Sequence, residues 1–197
     1  MKEEQTFWNW FGANACRIAR AKSPIAEDLL DEVMDQLHRY NNGLYFEIGG
    51  HPDLPDRELI VTAEGKPELF AAVLQLCEVA PEIPGWKVIA FKQPMGFKFK
   101  IDVGAVQIDP AHAWFKCEIS KNDSHQVDLT IAVPGYREEN ATDVAWACQL
   151  IIQSAIGERI ATERISSVNP CEIPEDPQAE GFISLIFLAD FLVTNYQ

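Results

Sequence analysis

Apolar residues recur at helical spacing twice near the start of the chain. Phe7, Trp10, Phe11, Ala15 and Ile18 predict a helix over 6–21 that Thr6 can cap. Leu30, Val33, Met34 and Leu37 predict a second over 24–40. Pro24 opens it, where a missing N–H costs nothing, and Asn41-Asn42-Gly43 ends it. The period then changes. Leu44, Phe46 and Ile48 alternate with Tyr45 and Glu47, which predicts a strand over 43–49, and 58–63 reads as a strand buried on both faces. A helix over 67–80 places Leu69, Phe70, Val73, Leu74 and Cys77 inward, and Pro81 and Pro84 stop it. Strands 86–91 and 97–103, around Gln93-Pro94-Met95-Gly96, are expected to form a hairpin.

The second half repeats this grammar. Strands 113–119 and 127–133 are joined by a turn at Lys121-Asn122-Asp123-Ser124. A helix over 141–156 ends at Gly157, an extended stretch covers 158–168, and 181–194 returns to helical spacing. The expected fold is α+β: a largely antiparallel sheet with helices packed on one face and two N-terminal helices added. A single domain over 1–197 is expected, with 104–112 as the best candidate seam. Segments 43–103 and 113–168 each read as ββαβ, which ordinary α+β folding explains more simply than a pseudo-repeat.

Composition narrows the function classes. The chain has 197 residues, 47% of them hydrophobic, with 16 Lys+Arg against 30 Asp+Glu and a formal net charge of -14. Such a surface repels phosphate backbones and anionic lipid and attracts basic partners. The excess is uneven: 1–121 carry 13 basic and 18 acidic side chains, and 122–197 carry 3 and 12. No apolar run reaches the roughly 18 residues of a membrane span, and the amphipathic start lacks a signal-peptide core, so a cytoplasmic protein is expected. Cys16, Cys77, Cys117, Cys148 and Cys171 show no C-x-x-C spacing and are expected reduced and mostly buried.

Catalytic motifs are missing. There is no G-x-S-x-G elbow, no phosphate loop and no H-x-x-x-H pair, and no cofactor is expected. Four weaker features remain. His51, Asp53 and Asp56, in the turn-rich loop 49–56, offer one nitrogen and two carboxylates to a ligand or metal. Asp109 and His112 are close enough in a turn for the acid to orient a general base, but no nucleophile motif accompanies them and a proline turn with a surface histidine is the simpler reading. Asp28, Asp31, Glu32 and Asp35 make an acidic helix face that could dock a basic partner; Trp8 joins them if its indole is exposed. Lys87, Lys92, Lys98 and Lys100 alternate in part with Phe97, Phe99 and Ile101, a pattern that could bind single-stranded nucleic acid. Strand parity separates rings from lysines, however, so an edge hairpin protected by lysines is the simpler reading.

Phe7-Trp8-Asn9-Trp10-Phe11, the stretch Arg57 to Gly65, Gly85 to Phe91, and Ser154-Ala155-Ile156-Gly157-Glu158 resemble a group of small uncharacterised bacterial proteins over most of the chain. The resemblance implies a bacterial cytoplasmic setting and carries no catalytic residue. The sequence therefore favours a non-enzymatic, inhibitor- or immunity-like protein that binds a basic protein through an acidic surface. A small enzyme or ligand-binding domain near loop 49–56 comes second, and nucleic-acid binding through 86–101 third.

Overall fold

The computed structural model describes residues 3–20, 25–50 and 56–195. The fold is α+β, with antiparallel strand pairs outnumbering parallel ones. The chain divides into two compact units, with the boundary between Lys92 and Gln93. The seam is therefore not 104–112. Gly104 lies there in the turn of a small hairpin, β4 (Ile101–Val103) with β5 (Val106–Ile108), which Gly104 makes possible with a φ of 56°.

In the first unit, α1 (Glu3–Arg20) and α2 (Ile25–Tyr40) precede a three-stranded sheet. Its order is β1 (Tyr45–Gly49), β2 (Arg57–Thr62), β3 (Trp86–Ala90); β1 runs antiparallel to β2, and β3 parallel to it. The parallel pairing requires a crossover, and α3 (Phe70–Glu78) supplies it. The expected 86–91/97–103 hairpin is thus not formed. Strand β3 is held by β2, while Ile101–Val103 pairs with Val106–Ile108 in the other unit. Pairing β3 with β2 continues a sheet already built around Leu59 and Val61, which are fully buried.

Alternation puts Phe46, Ile48, Leu59, Val61, Val88 and Ala90 on one sheet face, where they join the core of the first unit. Phe7, Trp8 and Phe11 of α1 fill the same core. Two indoles also tie it by hydrogen bonds: Trp8 Nε1 donates to Leu76 O at 2.9 Å, and Trp86 Nε1 donates to Ala15 O at 3.2 Å. Trp8 is 1% exposed, so it presents nothing to a partner; its N–H has an internal acceptor, which removes the usual cost of burying a polar group. Trp10 is half-buried at the margin. On α2 the inward residue is Leu29 rather than Leu30, in line with Val33 and Leu37.

The second unit repeats the frame. Strands β6 (Trp114–Ile119) and β7 (Val127–Val133) are antiparallel. Then α4 (Ala141–Ile156) and α5 (Glu158–Arg164) cross over to β8 (Ile165–Glu172), parallel to β7. A short β9 (Ile183–Ser184) extends the other edge, giving the order β8-β7-β6-β9, and α6 (Leu188–Asn195) closes the described chain. In both units a hairpin, a helix and a strand parallel to the middle strand follow in the same order. The predicted extended stretch 158–168 is a helix up to Arg164. Its seven residues bury only Glu158 and Ala161, too few to show a period, and an Arg159–Glu163 ion pair at 2.8 Å supports it instead. Phe115, Leu129, Ile131 and Val133 pack with Val144, Cys148, Ile151 and Ile152 of α4 and with Leu188 and Leu192 of α6. No described helix is long and apolar enough to cross a membrane.

All five cysteines are free thiols, but only Cys148 is fully buried and Cys16 is exposed. Burial pushes the Cys77 and Cys148 thiols up to about 12, because a thiolate there would lose its hydration. Their folded pKa values lie above those of an unfolded chain. The contribution to stability is therefore complete below the ordinary thiol pKa and is lost as pH rises toward about 12. A denaturant midpoint that falls over this alkaline range, and falls less in Cys77→Ala with Cys148→Ala, is expected; in the native state a thiol reagent should modify Cys16 before Cys148. Trp8→Phe keeps an aromatic side chain but is smaller than the indole and leaves the Leu76 carbonyl without this donor, and should destabilise the chain by about 2 kcal/mol in chemical denaturation.

Candidate functional site

The last carbonyls of any helix lack partners within it. In α4 two of them are met by a segment that is neither helix nor strand: Met95 N–H donates to Ser154 O at 2.9 Å, and Gly96 N–H to Ala155 O at 3.1 Å. Gly96 adopts a φ of 71°, which turns the chain back along the unit. Beyond it Phe97, Phe99 and Ile101 pack on the core of the second unit, while Lys98 and Lys100 between them are exposed. The alternation read from the sequence holds, although the hairpin does not.

This segment forms one wall of a cleft of about 710 Å³. Phe97 and Phe99 line it with Ala155 from α4 and with Ile186 and Ala189 from the last turn and helix; its charged groups are Lys98, Lys100 and Asp109. A second cleft of about 400 Å³ shares Ala155 and Ala189 and continues past Ile156, Ile160 and Val193. The two clefts therefore adjoin at these alanines. Apolar residues stay exposed around the clefts, Met95 at 72% and Val193 at 66%. Exposed apolar surface gathered at a concavity makes this cleft the candidate binding place.

Asp109 sets the electrostatics of the rim. It precedes a 3-10 turn, Pro110–His112, and its carboxylate accepts from Ala111 N–H at 3.0 Å. Lys100 Nζ lies 3.6 Å from the same group and His112 Nδ1 lies 3.7 Å from it. The Ala111 hydrogen bond, helped by Lys100 and His112, holds this carboxyl below the usual aspartate range, so it is ionised and an acceptor at neutral pH. The 3.7 Å separation from His112 is longer than a hydrogen bond, so this carboxylate does not hold the imidazole as an orienting acid would hold a general base. Asp109 is a turn cap with a lysine neighbour, and His112 is an exposed group beside it.

The other candidates are scattered. Asp28, Asp31, Glu32 and Asp35 are all exposed, opposite Leu29, Val33 and Leu37, and Glu32 pairs with Arg17 of α1. His51 and Asp53 lie outside the described residues. Asp56 is exposed at the foot of β2, close to Gly50, where an added Cβ would meet its carbonyl at 3.0 Å. No group of three metal-ligating side chains occurs among the described residues. The four lysines are divided between the units: Lys87 and Lys92 belong to the first, Lys98 and Lys100 to the second. Lys92 is bound by Glu64 at 2.8 Å and Glu47 at 3.1 Å.

The sequence reading missed Ile186 and Ala189. The signal was present: from Ile183 to Val193 the chain is apolar on more positions than one helix face can bury. No protein-family model matches the chain, and no curated protein or solved structure matches it either.

Two glycines test the local geometry with opposite signs. Nothing lies within 4 Å of an added Cβ at Gly96 or Gly12. Gly96→Ala is therefore penalised only by its left-handed backbone, about 1–2 kcal/mol. Gly12→Ala, inside the exposed side of α1, should stabilise by about 0.5–1 kcal/mol. Thermal melts of both variants check the pair.

Proposed function

We propose that this chain is a non-enzymatic binding protein and that the cleft of the second unit is its working surface. The apolar lining by Phe97, Phe99, Ile186 and Ala189, with a few charged groups on one rim, carries this reading. That mixture holds and orients a ligand. The one carboxylate lining this cleft is engaged as a turn cap, and its 3.7 Å separation from His112 is beyond hydrogen-bond length. Free thiols at all five cysteines fit a reducing, cytoplasmic setting.

A second reading rests on a separate observation. The exposed acidic face of α2 is suited to docking a basic protein, in the manner of an inhibitor or immunity protein. Capture of a basic partner at low ionic strength, lost when Asp28, Asp31 and Asp35 are all changed to Lys, would support it; capture unchanged by the triple variant would overturn it.

For the cleft, the test is a thermal-shift screen of apolar and amphiphilic small molecules against the native chain and Ala189→Trp, whose indole would fill the cleft from an exposed helix position. A saturating ligand should raise the Tm of the native protein by several degrees and leave the variant unmoved. Equal shifts in both proteins, or none in either, would overturn the reading.

A further inference from the structure

The charge inside the cleft runs against the charge of its surroundings. The second unit carries 7 basic and 15 acidic side chains, yet the charged groups lining its cleft are Lys98, Lys100 and Asp109. Asp109 is 3.6 Å from Lys100 and offsets that charge. Lys98 has no ion pair among the described residues. The cleft thus presents one uncompensated cation beside an apolar floor made by Phe97, Phe99, Ala155, Ile186 and Ala189.

Building on the cleft reading above, we propose that its ligand is a small amphiphile with a single anionic head group, held at Lys98, and an apolar body laid over Ala155 and Ala189. Three observations argue for that chemistry over others. A polyanion would meet only one free cation and then a strongly acidic unit, which repels it. A neutral polar ligand would leave the apolar floor without a partner. A small anion without a tail would gain little, because one exposed lysine contributes at most about 1 kcal/mol. The neighbouring cleft past Ile156, Ile160 and Val193 gives a longer tail somewhere to continue, since the two clefts share Ala155 and Ala189.

Isothermal titration calorimetry with dodecanoate, dodecanol and acetate separates head from tail. Dodecanoate should bind with a negative heat-capacity change, and acetate should not bind measurably. Lys98→Glu should weaken dodecanoate about five- to tenfold, roughly twice the effect of one exposed ion pair, and leave dodecanol unchanged. Added salt should weaken dodecanoate alone. Ala189→Trp should weaken both; if that variant fails to fold, Ile186→Ser, at an exposed position, takes its place. Dodecanol binding as tightly as dodecanoate, with both lost in Ala189→Trp, would leave the cleft reading standing and overturn the anionic head group. Absence of binding by either chain, or binding unaffected by Ala189→Trp and Ile186→Ser, would overturn both. Concentration-dependent self-association lost in Ala189→Trp, without ligand binding, would assign the cleft to a second copy and equally overturn the proposal.

Discussion

The carbonyls at the end of α4 must find donors, and the way they do so organises the second unit. Ser154 and Ala155 accept from Met95 and Gly96, so a stretch with no regular structure is pinned across a helix terminus. Pro94 and the left-handed Gly96 suit a segment that cannot extend as a strand at that point. Once it is pinned, the two-residue alternation after it decides everything nearby. Phe97 and Phe99 turn onto the core, Lys98 and Lys100 stay out, and a wall is set opposite Ile186 and Ala189. The cleft is what remains between that wall and the last helix.

Each unit solves the same burial problem by the same arrangement. A hairpin buries one face, a helix covers it, and a third strand returns parallel to the middle one. The strand flanked by its hairpin partner and the returning parallel strand is strongly apolar in both cases, Leu59 and Val61 in one unit, Leu129 and Ile131 in the other, because it is paired along both edges. The first unit adds α1, whose aromatic residues would otherwise have no place. Phe7, Trp8 and Phe11 meet Trp86 there, with Phe11 and Trp86 rings 5.0 Å apart and edge-on.

Most elements were legible because their periods are clean. The helix over 141–156 and the strand 127–133 were read to the residue, and the strands on either side of 49–56 to within one or two. The ββαβ order was visible twice. The failures share a cause. The strand expected over 86–91 forms as 86–90, but of the one expected over 97–103 only 101–103 is strand; adjacency in sequence suggested that the two pair with one another, whereas a strand pairs with whichever edge is free and apolar. Residues 158–164 hid their helix because a two-turn element held by an ion pair shows no apolar stripe. Trp8 and Trp10 were identified as more than one face could take, and the structure resolves the excess by burying one and leaving the other at the margin.

The candidate site was legible only in pieces. Lys98 and Lys100 came from a charge pattern, Asp109 and His112 from a turn, and the apolar excess of 183–193 stood unexplained. Nothing in the linear order relates these three stretches, because they are brought together by contacts across tens of residues. The sequence by itself determined the α+β class, the acidic balance and the strands and helices whose apolar periods are clean. These follow from local periods and from composition. Tertiary structure alone decided which strands pair, which tryptophan is buried, and that two lysines and one carboxylate share the rim of an apolar cleft. Those outcomes depend on which edges and helix termini are left unsatisfied after the local elements form.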